Sequence, residues 1–134
     1  MTIQHCYKLY IIFLLTLFAA FNTQGATPSA RQQLEPLFDL ATRLSEQARS
    51  GNAAASRFRI DTVFYRESLR ELMLAQENSA TPLSKDILME FVRMSALLQS
   101  AADCRTGRYI VCPAALMQQL SRQQKLLADT LPSL

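Results

Sequence analysis

The densest group of chemically capable side chains is a run of arginines, Arg57, Arg59, Arg66 and Arg70. On a helix Arg59, Arg66 and Arg70 share one sector, because steps of seven and four residues are nearly whole turns. Clustered guanidinium groups can grip carboxylates or phosphates through paired hydrogen bonds. The plainer reading is a solvated polar face, with Asp61 and Glu67 interleaved. A second feature is Cys104 and Cys112, which bracket the apolar triplet Tyr109, Ile110 and Val111. A bridge between them would make a stapled loop, and its tip is a candidate partner-binding element; equally, the triplet could tuck under the end of the fold. Met89 and Met94 widen an apolar face that serves as core or as an adaptable groove. Ser45, Ser68, Ser95 and Ser100 are read as non-catalytic, because no base stands out to activate them.

The lone histidine, His5, decides which chemistries are closed. It lies in a segment built like a secretory leader: Lys8, then an apolar run from Leu9 to Phe21 broken only by Thr16, then Gly25 and Ala26 as small exit residues. A helix crossing hydrocarbon needs about 20 apolar residues, so residues 1–26 are expected to be a cleaved signal peptide, cut after Gly25 or Ala26. Cys6 precedes the apolar run, so no lipid anchor is expected at the cleavage point. Removing 26 of 134 residues leaves 108, enough for one domain, 27–134, with one core. That domain would have no histidine. A Ser-His-Asp or Cys-His catalytic set and histidine-ligated zinc or haem then cannot be built, and neither a metal nor a cofactor is expected. Export would leave Cys104 and Cys112 in an oxidising compartment, where one disulfide is expected. With Lys8 gone, 13 basic and 11 acidic residues remain, scattered along the chain. This balance does not point to nucleic acid.

The elements that must position these residues read as helices. Leu34, Leu37, Phe38, Ala41, Leu44 and Ala48 repeat at helical spacing. Pro36 is expected in the first turn of that helix, and Gly51 and Asn52 end it. A second helix from Ala54 to about Glu77 is expected to turn Ile60, Val63, Phe64, Leu69, Leu72 and Met73 inward; Val63-Phe64-Tyr65 alone would also suit a strand. Thr81 and Pro82 read as the N-cap and first residue of a third helix. That helix would bury Leu83, Ile87, Phe91, Met94, Leu98 and Ala102, with Leu88 and Val92 widening its face. Residues 105–111 read as a loop with a turn at Gly107. After Pro113 a fourth helix carries Leu116, Leu120, Leu127 and Leu131, its Gln118, Gln119, Gln123 and Gln124 facing water, and Pro132 closes it. Such a chain is all-α, a bundle of about four helices with short links.

Several of these segments line up with a family pattern. Leu34-Glu35-Pro36-Leu37-Phe38 leads to Arg43-Leu44, then Ala53-Ala54-Ala55-Ser56-Arg57, Ile60-Asp61, Arg66-Glu67, and Pro82-Leu83-Ser84-Lys85-Asp86-Ile87. Over residues 34–103 this resembles the small, secreted, all-helical chorismate mutases. The resemblance implies a unimolecular rearrangement of chorismate to prephenate. Arg43, Arg57 and Arg66 would pair the substrate's negative charge, with Gln99 or Asp103 meeting its ether oxygen. Arg57 stands where that family usually carries lysine. Catalysis of this kind rests on preorganised charge and needs no histidine.

The preferred expectation is different: a periplasmic or secreted helical binding or accessory protein of the cell envelope. An assembly factor for a secretion system or pilus, or an inhibitor or immunity protein, would fit. Its partner would be another envelope or secreted protein, and the small core leaves room for a homodimer. Chorismate mutase activity is the alternative.

Overall fold

The computed structural model describes residues 28–107 and 113–134. The expected leader, Cys112 and the Tyr109, Ile110 and Val111 triplet lie outside them. The described residues form four α-helices: α1 (Ala30–Ser50), α2 (Ala55–Glu77), α3 (Lys85–Arg105) and α4 (Ala114–Thr130). A 3-10 turn, Leu131–Ser133, finishes the chain. No strand occurs among the described residues. Val63, Phe64 and Tyr65 are helical.

α1 starts earlier than the apolar repeat suggests. The Ser29 hydroxyl accepts the Gln32 amide N–H while the Gln32 side chain accepts the Ser29 N–H, a reciprocal capping box that satisfies two orphan donors. This places Pro36 in the second turn rather than the first. There it removes the bond that a residue 36 N–H would make to the Gln32 carbonyl. At the other end Gly51 takes φ +69°, the left-handed conformation that favours glycine, and its N–H closes on the Gln47 carbonyl.

α2 corrects the expected inward face. Ile60 and Phe64 are 62% and 63% exposed, and Val63 and Met73 are exposed as well. The buried row is Phe58, Thr62, Tyr65, Leu69 and Gln76, with Leu72 half-buried behind it. Two polar residues occupy the inner row while Ile60, Val63 and Phe64 occupy the outer one. Hydrophobic spacing therefore places Leu69 and Leu72 correctly but misplaces Ile60, Val63, Phe64 and Met73. The polar members are accommodated by bonds. Thr62 donates to the Arg59 carbonyl at 2.8 Å. Gln76 donates to the Gln33 side chain at 2.8 Å and accepts the Leu83 N–H at 2.9 Å.

The second of those Gln76 bonds corrects the start of the third helix. It holds residues 81–83 as a connector, and α3 begins at Lys85 after Ser84 rather than at Pro82. Leu88, Phe91, Met94, Leu98 and Ala102 are buried as the spacing of α3 requires, and Leu83 is buried from the connector. Met89 is exposed, so of the two methionines only Met94 is core. α3 includes Arg105, and Gly107, at φ +80°, makes the turn that follows. In α4, Leu120 and Leu127 are buried, as is Leu131 just beyond it. Gln118 and Gln119 face water. Gln123 and Gln124 do not face water alone: Gln123 donates to Glu90 on α3, and Gln124 accepts from Arg49 on α1.

α2 packs on α1, α3 on α2 and α4 on α3, and α4 closes the ring against α1. α1 also meets α3 across the centre, whereas the backbones of α2 and α4 do not approach each other closely. One core runs through all four helices, with Leu34, Leu44, Phe58, Tyr65, Phe91, Leu98 and Leu120 shielded from solvent. Burial of this kind contributes about 25 cal/mol per Å² of apolar surface.

Candidate functional site

Of the five residues singled out by the family resemblance, four line two separate grooves, and Asp103 lines neither. Arg43 on α1 and Arg57 on α2 line the α1–α2 groove, together with Leu40, Gln47, Ile60, Asp61 and Phe64. Its volume is about 560 Å³. Arg57 is held by Asp61 one turn on, at 3.1 Å, as an exposed ion pair. The side-chain oxygen of Gln47 is buried without a hydrogen-bond partner. Its backbone carbonyl is already engaged by Arg105.

Arg66 and Gln99 belong to the α2–α3 groove, of similar volume, about 560 Å³. Leu69, Met73 and Leu74 from α2 and Val92 and Ala96 from α3 make it mainly apolar. Arg66 and Arg70 bracket Glu67 at 3.4 and 2.9 Å. The Arg70 guanidinium, assisted by Arg66, holds the Glu67 carboxyl below its ordinary range. All three side chains are solvated, so this triad contributes little stability. Arg66 and Arg70 thus stand together, as their spacing predicts, with Glu67 between them. Gln99 donates to Asp103 one turn on at 3.5 Å, which places both along the same flank of α3. Arg43 and Arg57 therefore share one groove, and Arg66 and Gln99 line another.

A third groove, between α3 and α4, is lined by Arg93, Ala96, Leu97, Gln119, Arg122 and Leu126. Ala96 borders both this groove and the α2–α3 groove, so the two are neighbours across a small residue. Two of the four serines are tied to the backbone: Ser45 is buried and donates to the Ala41 carbonyl, and Ser100 donates to the Ala96 carbonyl.

Spacing does not single out Arg105, which bonds three backbone carbonyls. Its guanidinium donates to the carbonyls of Gln47 at 3.1 Å and Gly51 at 3.0 Å, and also to that of Ala53. It lies over the Phe58 ring, 5.1 Å from the centroid. It therefore caps the carbonyl end of α1 and ties the α1–α2 link to the end of α3. In sequence Arg105 reads as the first residue of a loop, whereas it closes the last turn of α3, and its target carbonyls lie more than fifty residues away. Beside it Cys104 is 5% exposed, inside the last turn of α3.

No group of histidine, cysteine, aspartate or glutamate that could hold a metal ion occurs among the described residues. None of their helices is long and apolar enough to cross a membrane. No family model, curated protein or solved structure matches this chain.

Proposed function

We propose that this chain is exported and acts as a small helical binding or accessory protein of the cell envelope, periplasmic or secreted. An assembly factor for a secretion system or pilus, or an inhibitor or immunity protein, is the kind of role intended. The observation that carries this proposal is the α2–α3 groove, where Met73 and half-exposed Leu74 stand beside Val92 and Ala96. Apolar side chains gathered in a groove with a charged rim make a surface suited to a partner's apolar side chain. In this proposal residues 1–26 are removed on export, and Cys104 pairs with Cys112.

The test uses protein expressed with its own leader. Terminal sequencing is expected to begin at Ala26 or Thr27, and both thiols are expected to resist labelling until reduced. Affinity capture from envelope extracts is expected to retain one specific protein. Ala96→Glu, which places a carboxylate between two grooves on an exposed helix position, is expected to lose that protein with the circular dichroism unchanged. Captures that stay empty, or that are identical for the variant, would defeat the binding role.

Chorismate rearrangement is the second reading, favoured by the shared groove of Arg43 and Arg57. Ultraviolet loss of chorismate with purified protein, abolished in Arg43→Ala, would support it. A flat trace with the unmodified protein would remove it.

A further inference from the structure

The outer face of α2 presents Arg57, Ile60, Phe64, Glu67 and Glu71 at steps of three, four, three and four residues, which is one straight seam along a helix. All five lie on the side away from the buried row. The seam has a defined order: a cation first, two large apolar side chains in the middle, two carboxylates last. A two-fold axis midway between Ile60 and Phe64 reverses this order in the second copy. Ile60 then faces Phe64 of the second copy, and each Arg57 lies level with Glu67 of the second copy and one turn from its Glu71. A closed two-fold contact requires this self-complementarity, one patch matching itself reversed.

We infer that α2 pairs antiparallel with α2 of a second copy of this chain, centred on Ile60 and Phe64 and closed at both ends by Arg57 against Glu67 and Glu71. The α1–α2 groove gives the arrangement room. Its apolar part is Leu40 beside the Ile60–Phe64 ridge, with Arg43, Gln47, Arg57 and Asp61 around it, so Phe64 of the second copy has a recess of mixed polarity to enter. The existing partners do not block the exchange. Among the described residues Arg57 is held only by Asp61, and Glu67 only by Arg66 and Arg70, in solvated pairs of small worth. Register follows from the charges: a parallel pairing would set Arg57 beside Arg57 and each glutamate beside its copy. The contact runs along α2 from Arg57 to Glu71 and meets the α2–α3 groove at Glu67, but it is centred away from Met73, Leu74 and Ala96. It thus extends beyond the proposed partner groove and can fail independently of it.

The experiment is analytical ultracentrifugation of the protein expressed with its own leader, over a range of concentrations. The mass is expected to rise from monomer to dimer, and Phe64→Glu to weaken dimerisation by about 30-fold or more. Charge variants then test the geometry. Arg57→Glu gives three carboxylates along the seam, and the double variant Glu67→Arg with Glu71→Arg gives three cations. Each alone is expected to be monomeric where the unmodified protein is dimeric. An equimolar mixture of the two is expected to form a heterodimer, because both ends then carry opposite charges. An unmodified protein that stays monomeric throughout, a Phe64→Glu variant that dimerises undiminished, or a mixture that remains monomeric would overturn the inference. Thermal melts by circular dichroism confirm that each variant is folded.

Discussion

A single arginine fastens one end of this bundle. Arg105 meets three carbonyls and the Phe58 ring, so its loss leaves the end of α1 uncapped and the α1–α2 link untied. Arg105→Ala is expected to cost about 2–3 kcal/mol in urea unfolding. Arg105→Lys is expected to recover only part of it, since an ammonium cannot reproduce the planar fork. Tyr65 supplies a second residue-scale test. Its ring is buried, its hydroxyl lies 3.4 Å from the Phe91 carbonyl, and burial pushes its phenol well above the ordinary range. A raised pKa in the fold means that the neutral phenol's contribution is complete below about pH 10, the unfolded value, and declines as pH rises beyond it. Tyr65→Phe is therefore expected to move the alkaline unfolding midpoint upward, while costing about 1 kcal/mol or less at neutral pH. Neither residue was legible as important in sequence. Both act on carbonyls brought near only by the fold.

At the scale of elements, α1, α3 and α4 could be read from their apolar spacing, and α2 could be placed but not oriented. The difference lies in what each helix buries. α1 buries an almost unbroken row, from Leu34 to Ala48, with Ser45 bonded back to its own helix. α2 buries Thr62 and Gln76 because local and cross-helix bonds satisfy them, and it exposes Ile60 and Phe64. A polar residue that finds its partners costs little inside, so hydropathy spacing alone cannot orient such a helix. The chemistry divides similarly. The grouping of Arg66 with Arg70 followed from helical spacing alone. The separation of Arg43 and Arg57 from Arg66 and Gln99 depends on which helices are neighbours. Helix starts carry their own test. Pro36 sits in the second turn of α1, exposed, where it removes one backbone bond. Pro36→Ala is expected to stabilise the protein by about 2 kcal/mol, the restored turn outweighing the added freedom of the unfolded chain. A lower melting temperature in that variant would show that the ring's packing or rigidity matters more.

For the whole molecule, the ring of contacts closes through α4 against α1, and the core is continuous across all four helices. A bundle held this way does not depend on a covalent staple for its secondary structure. If Cys104 is joined to Cys112 as proposed, reduction is expected to lower stability by about 2–3 kcal/mol, the value for a short closed loop. Helical content in buffer should change little. Loss of helix on reduction would instead assign the bridge a role in organising the end of α3.

The clamp at the end of α3 has a consequence for proteolysis. A trypsin-like protease cuts after arginine only if it can draw that guanidinium into its own pocket, and it needs the backbone on either side in extended form. Arg105 has its guanidinium committed to the Gln47, Gly51 and Ala53 carbonyls, within the last turn of α3. Scission after this residue must therefore wait for the end of the bundle to open. Its digestion rate becomes a clock for that opening, and bonds next to looser arginines should yield first.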